Sequence, residues 1–255
     1  MTSLPSREGL ASDLRAFITE KGIVPDPNFL RWNSGVYAVL DCVFSSMAKF
    51  ASTVLPLLQH RFPQREGMQD TPALTFTAFM RDVETFPPAT RFADYARDVM
   101  RNRQQISGRT KVEVAYDVCQ FFARKGYDTR ASLLALPVSE EVRDPSGVLL
   151  RIELGPLERM VLEELIEKHA VRGIGPALGR YLLMCLGREE YVKPDTLLLR
   201  LVGHVGNWTP RPGHSGDIAI IQDVVSSLAK EMQTTPARLD NALWNYQSAL
   251  SSRKT

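Results

Sequence analysis

The sequence predicts an all-α protein of about ten helices. Apolar residues recur at helical spacing through most of the chain. No stretch shows clean period-two alternation of β-branched residues between hairpin turns. Neither an internal repeat nor a low-complexity tail interrupts that pattern. In order, Gly9 to Gly22 forms a short amphipathic helix with Leu10, Leu14, Phe17 and Ile18 on one side. Gly35 to Leu58 is a long apolar helical stretch, broken near Ser45-Ser46. Pro63 to Pro72 is polar and loop-like. Ala73 to Glu84 and Arg91 to Asn102 are helical and separated by Pro87-Pro88. Arg109 to Gly126 is the clearest amphipathic helix, with Val112, Ala115, Val118, Cys119 and Phe122 on one face. Pro137 to Gly147 reads as a loop and Gly155 to Lys168 as a helix. Further helices follow the turn at Gly173, begin at Thr196, and span Asp217 to Met232 and Pro236 to Ser251.

Composition sets the class. The chain has 255 residues, 44% hydrophobic and 24% charged, which is ordinary for a globular protein. No apolar run approaches the ~20 residues that span a bilayer, and MTSLPSREGL lacks an apolar signal core. An intracellular, cytoplasmic protein without a membrane partner is therefore expected. The three cysteines, Cys42, Cys119 and Cys185, are far apart and odd in number, so they read as reduced, buried thiols. The histidines are scattered, and none has a second ligand-type residue at metal spacing, so no metal is expected. A net charge of +2 proves no nucleic-acid partner; its distribution matters more. Arg97, Arg101, Arg103, Arg109 and Lys111 face one acid, Asp98, between positions 97 and 111. Lys168, Arg172, Arg180, Arg188, Lys193 and Arg200 cluster with three acids between 168 and 200. Such clusters suit a phosphate-facing surface or a solvated helix face.

The most informative stretch is GIGPALGRYLLMCLGREEYVKPDT, residues 173 to 196. Gly173 and Gly175 permit backbone conformations that side chains disfavour, and Pro176 fits the first position of a new helix. That helix would direct free amide hydrogens and its positive dipole end at the turn, which suits a phosphate. The same residues also describe a plain helix-to-helix turn closed by a glycine cap. Asp195, twenty positions after Gly175, precedes the apolar run TLLLRLV as an N-cap aspartate does. The two roles are compatible, because a capping carboxylate is held rigidly.

Together, the glycine turn, the helix and the distant aspartate resemble the helix-hairpin-helix (HhH-GPD) DNA glycosylase superfamily, its endonuclease III-like branch in particular. VRGIG stands for the family's Leu-Pro-Gly-Val-Gly hairpin, and KPDTLLLRLV for its Val-Asp-Thr-His segment and following helix. Arg200, five residues after the acid, also matches an arginine of that branch. More loosely, Tyr37 to Met47 resembles the family's early core helix, RNRQQISGRTKVEVAYDVCQFF the segment before the hairpin, and RLDNALWNYQSAL a closing helix. The resemblance implies a glycosylase-like domain over residues 31–251, with its hairpin at 171–180 and an active-site cleft between two helical subdomains. Residues 1–30 would be an added helical extension.

The resemblance also implies a mechanism. Asp195 would be the catalytic carboxylate of a DNA N-glycosylase that extrudes a damaged or modified base. The lysine nucleophile of bifunctional members is replaced here by Ala177, so water would attack and an abasic site would remain, without lyase activity. No cysteine follows Cys185, which excludes the four-cysteine iron–sulfur cluster of some members. A monovalent cation among hairpin carbonyls is a further implication. DNA contacts would come from Arg172, Gly173, Ile174, Gly175, Ala177, Gly179, Arg180, Lys193, Arg109 and Lys111. Trp32, Tyr37, Phe50 and Tyr181 would line the base pocket, with Met47 as a wedge. A monomer on duplex DNA with one flipped nucleotide is expected, serving repair or removal of modified bases from foreign DNA. Two other classes fit the same residues: a non-enzymatic DNA-binding protein that kept the hairpin, and a helical protein-interaction module.

Overall fold

The computed structural model describes residues 5–252 apart from 28, 30, 31 and 145–148. Helix dominates, with eleven α-helices against four short strands among the described residues. The chain divides into two compact units: residues 1–30 with 188–255, and residues 31–187. No helix among the described residues is long and apolar enough to cross a membrane.

The larger unit is built around α2 (Gly35–Phe44), all of whose residues are buried, as befits a helix that is apolar on every side. Ser34 caps it, accepting a hydrogen bond from the Tyr37 amide at 3.1 Å. The break expected near Ser45-Ser46 is real: α2 stops at Phe44, and a loop carries the chain to π-helical turns at Phe50–Val54 and Leu57–Arg61. Then come α3 (Phe76–Glu84) and α4 (Arg91–Asp98), on either side of the two prolines. A tight hairpin follows, β1 (Gln105–Ile106) against β2 (Arg109–Thr110), turning through Ser107 and Gly108 at φ 53° and 79°. It leads directly into α5 (Lys111–Arg124), capped by Thr110. Next is α6 (Arg130–Leu134).

Where the sequence predicts a loop at Pro137 to Gly147, the chain forms an antiparallel pair, β3 (Glu140–Arg143) with β4 (Leu149–Glu153). Positions 145–147 of that expected loop lie outside the described residues. Leu150 and Ile152 are more than half exposed, so burial does not impose the alternation by which a strand is recognised. The unit closes with α7 (Pro156–Arg159), continued by π-helical turns over Met160–Glu167, and α8 (Pro176–Leu186).

In the other unit, α1 (Arg7–Lys21) begins at the cap Ser6 and ends at Gly22, whose φ of 61° is the left-handed geometry of a helix terminus. It packs with α9 (Thr196–Val205), α10 (Ser215–Glu231) and α11 (Pro236–Ser252). Leu10, Leu14 and Ile18 of α1 enter one core with Leu198, Val202, Trp208, Leu228 and Leu243. Residues 1–30, expected as an added extension, thus share a core with residues 188–255.

Candidate nucleic-acid interface

The hairpin lies wholly in the larger unit. Its first arm ends at Glu167, the chain reverses over residues 168–175, and α8 starts at Pro176. Gly173 has φ 107°, and a Cβ there would stand 3.2 Å from Ile106 Cγ2 and 3.3 Å from Val114 Cγ2. The left-handed conformation strains any side chain here, and the space is tight. Gly175 differs. Its backbone is extended (φ −104°), and a Cβ would meet nothing within 4 Å. It is the N-cap of α8 and offers no side chain to the first-turn amides, which is the arrangement an anion can exploit.

Around the turn, the side chains divide by role. Arg172 is exposed, Ala177 and Arg180 are intermediate, and Ile174, 2% exposed, anchors the turn in the core. Gly179 is buried. A Cβ on it would fall 2.7 Å from Ile166 Cγ1, so it is needed for the two hairpin arms to pack closely. It is therefore a packing glycine and not the DNA contact expected.

Two basic residues, Arg109 on β2 and Lys111 at the start of α5, tie this end of the unit together. The Arg109 guanidinium bonds Glu113 at 2.9 Å and Asp117 at 2.5 Å, and also donates to the Arg172 carbonyl at 3.3 Å. Arg109 thus fixes the hairpin turn, and two carboxylates balance its charge. The same contact bears on the expected monovalent cation. A guanidinium already occupies the Arg172 carbonyl, so the residues present do not fit a cation sharing it. Lys111, expected on a phosphate-facing surface, is 1% exposed. Its ammonium donates to the carbonyls of Phe44 (2.9 Å) and Ser46 (2.6 Å) and to Gln104 Oε1 (2.7 Å). Burial removes it from any direct role in holding phosphate.

Lys111 thereby reaches the loop that carries Met47, which is 84% exposed and has φ 50°. Phe50, just beyond, is half-buried. Of the expected pocket aromatics, Tyr37 is fully buried, its hydroxyl donating to the Met68 carbonyl at 2.8 Å and its ring packed on Trp32 and Phe62. It is core and cannot wall an open pocket. Trp32 and Tyr181 do come together, on a residue the sequence did not single out. Asp41, 6% exposed, accepts from Trp32 Nε1 (2.7 Å), Tyr181 OH (2.8 Å) and Ser45 Oγ (2.9 Å). Burial, then the Asp41 charge, pushes the Tyr181 hydroxyl well above its ordinary pKa, so it stays a donor. The available signal was one acid inside the otherwise apolar GVYAVLDCVF.

Asp195 belongs to the smaller unit. It caps α9, its Oδ1 accepting from the amides of Leu197 (2.9 Å) and Leu198 (3.1 Å). Its Oδ2 lies 3.8 Å from Lys193 Nζ, and the side chain is 23% exposed. Lys193 is held in turn through its amide, which donates to Asp240 at 3.1 Å. One carboxylate oxygen is thus fixed by the helix and the other faces a cation.

No curated protein and no solved structure matches the chain. A family model described as a domain of unknown function, DUF8548, matches residues 168–248, a segment that begins at the hairpin turn and includes α8, Asp195, α9 and α10.

Proposed function

We propose that the protein is a monofunctional DNA N-glycosylase of the helix-hairpin-helix type, which hydrolyses the bond between the sugar and a flipped, damaged or modified base and leaves an abasic site. The observation that carries this reading is the state of Asp195. Two backbone amides lock one oxygen, and the other is not used by the cap.

Cleaving a base–sugar bond builds positive charge on the deoxyribose, as in other glycoside hydrolysis. A carboxylate fixed beforehand stabilises that charge more than it stabilises the ground state, and no reorganisation is needed during the reaction. Oδ1 supplies the rigidity. Oδ2 faces the developing cation and orients the attacking water. Lys193 Nζ lies 3.8 Å from Oδ2 and pairs with it. The hairpin supplies binding: Gly175 admits a phosphate to the amides of α8, and Arg172 adds an exposed cation. A glycosylase must also turn its nucleotide out of the duplex. Met47, 84% exposed, is the side chain that fills the gap. Ala177 offers no amine, so water is the nucleophile.

The test is mass spectrometry of free bases released from DNAs carrying a panel of lesions and hypermodified bases. Asp195→Asn is expected to lower release by roughly 10²–10³-fold, the cost of one preorganised transition-state contact, with DNA affinity retained. Base release undiminished in that variant would overturn the assignment. Borohydride is expected to trap no covalent adduct.

One observation favours a second reading. Asp195 already has a complete structural job as the cap of α9, and a DNA-binding protein without chemistry needs no more from it. Tight DNA binding with no base released from any substrate selects that alternative.

A further inference from the structure

We infer that Lys111 is a positioning residue: it ties the loop that carries the apolar tip Met47 to the loop that carries Arg101 and Arg103, so that Met47 enters the base stack while the two arginines hold phosphate. The inference rests on the reading of the protein as one that binds duplex DNA.

It starts from two features of Met47. A large apolar side chain is 84% exposed, and its backbone holds φ 50°, which residues with a side chain seldom adopt. Strain of this kind persists only where the surroundings enforce it, and it concentrates at functional positions. Lys111 fixes the peptide that leads into Met47. The Ser46 carbonyl, 2.6 Å from the ammonium, belongs to the peptide that ends at the Met47 nitrogen. The Phe44 carbonyl, at 2.9 Å, is the last of α2. Carbonyls at a helix C-terminus lack intrahelical partners and carry the negative end of the dipole, so a cation is well placed there. An ammonium has three donors, and the bond to Gln104 engages the third.

That third bond brings in the basic loop. Gln104 is further held through its amide, which donates to the Asn102 side chain at 2.9 Å, and Asn102 is buried. On the same loop Arg101 and Arg103 are exposed and form no ion pair within 4.0 Å among the described residues, although Arg103 is close enough to Asp98 to join Arg97, the larger cause, in lowering its pKa. One buried lysine therefore joins an apolar tip to a pair of available cations. Proteins that unstack duplex DNA combine an inserted apolar side chain with arginines along the groove. The lysine itself touches neither base nor phosphate.

The experiment uses the full chain and duplexes carrying 2-aminopurine, whose fluorescence rises when the base unstacks, with affinity measured by anisotropy across a salt series. Met47→Gly tolerates the backbone geometry and removes the tip. It is expected to abolish the fluorescence rise while changing affinity by no more than about threefold, because phosphate contacts dominate binding. Met47→Leu is expected to restore the rise. Lys111→Met keeps the apolar stem and removes the ammonium. It should reduce the rise about as far as Met47→Gly does, and the double variant should lose nothing more. Arg101→Gln with Arg103→Gln should flatten the salt dependence by about two units of slope and leave the fluorescence per bound complex unchanged. If Lys111→Met does not fold, Gln104→Leu takes its place. It frees the basic loop from the lysine, and is expected to lower the rise.

A wild-type rise in the folded lysine variant, or losses that add in the double variant, overturns the inference and leaves the DNA reading standing. Wild-type protein that neither binds the duplex nor raises fluorescence overturns both. Should Met47→Gly keep the full rise, the tip is not the wedge and Lys111 has nothing to position.

Discussion

Two single residues make sharp predictions. Gly179→Ala would place a methyl group 2.7 Å from Ile166 Cγ1, and closer still to its Cδ1, between the packed arms of the hairpin. Overpacking of this kind is expected to cost about 1–3 kcal/mol, read as a lower urea midpoint, and Ile166→Ala in the same chain should recover part of it. A chain in which the alanine is neutral would show that the arms are not packed this closely. Asp217 makes a prediction about pH. It is 2% exposed and bonded by Arg211 through both guanidinium and amide, and by His214. Those bonds, the Arg211 side chain foremost, lower its pKa to about 2. A carboxyl that is more acidic folded than unfolded contributes stability above the unfolded value, near 3.9, and loses it as pH falls toward 2. Thermal melts between pH 5 and 2 should therefore show an acid limb that is weaker in Asp217→Asn. An unchanged limb would mean the bond network is not formed. In the sequence Asp217 was legible only as a helix beginning, because its partners lie in a glycine- and proline-rich loop without periodicity.

For the elements, the two hairpin glycines separate structure from binding. Gly173→Ala must hold φ 107° against Ile106 and Val114, and is expected to cost about 1–3 kcal/mol of stability. Gly175→Ala has ordinary dihedrals and open space, so its stability should stay within about 0.5 kcal/mol of the parent. If the backbone at Gly175 is where phosphate approaches, this near-neutral methyl should still weaken DNA binding; unchanged affinity would remove Gly175 from the interface. Periodicity made the helices legible, and so did some of their ends. Asp195 caps α9 and Pro176 opens α8 as the sequence predicts, whereas the caps Ser6 and Thr110 emerge only in the structure. The β3–β4 pair was illegible because Leu150 and Ile152 are more than half exposed, so burial imposes no alternation on them. The role of Lys111 was hidden for a related reason. A lysine in a basic cluster reads as surface charge, and only the three acceptors around its ammonium show that it is buried.

For the whole molecule, chain order concealed how the units are made. Helical periodicity locates α1 but cannot say that its partners lie about 180 residues downstream. Leu10, Leu14 and Ile18 are 5% exposed or less within the core of the smaller unit, and a Cβ on Gly206 of that unit would meet Leu10 at 2.5 Å. Arg7 and Arg15 pair with Asp223 and Glu231 of α10 at 2.9 and 2.5 Å. These surface pairs contribute little. The apolar residues decide the matter, because each large side chain taken out of water contributes about 1.5–3 kcal/mol. Three of them approach the whole stability of an ordinary domain, about 5–15 kcal/mol. Deleting residues 1–24 is therefore expected to unfold the unit that contains Asp195, and not simply to trim an appendage. Trp208, 8% exposed in that core, is among the chain's three tryptophans, and its emission should shift red on truncation. Supplying residues 1–24 as a separate peptide should reverse the shift at concentrations where it binds. A truncated chain that keeps the parent emission and urea midpoint would show that α1 is dispensable. The same result would allow the glycosylase proposal to be tested on residues 25–255 alone.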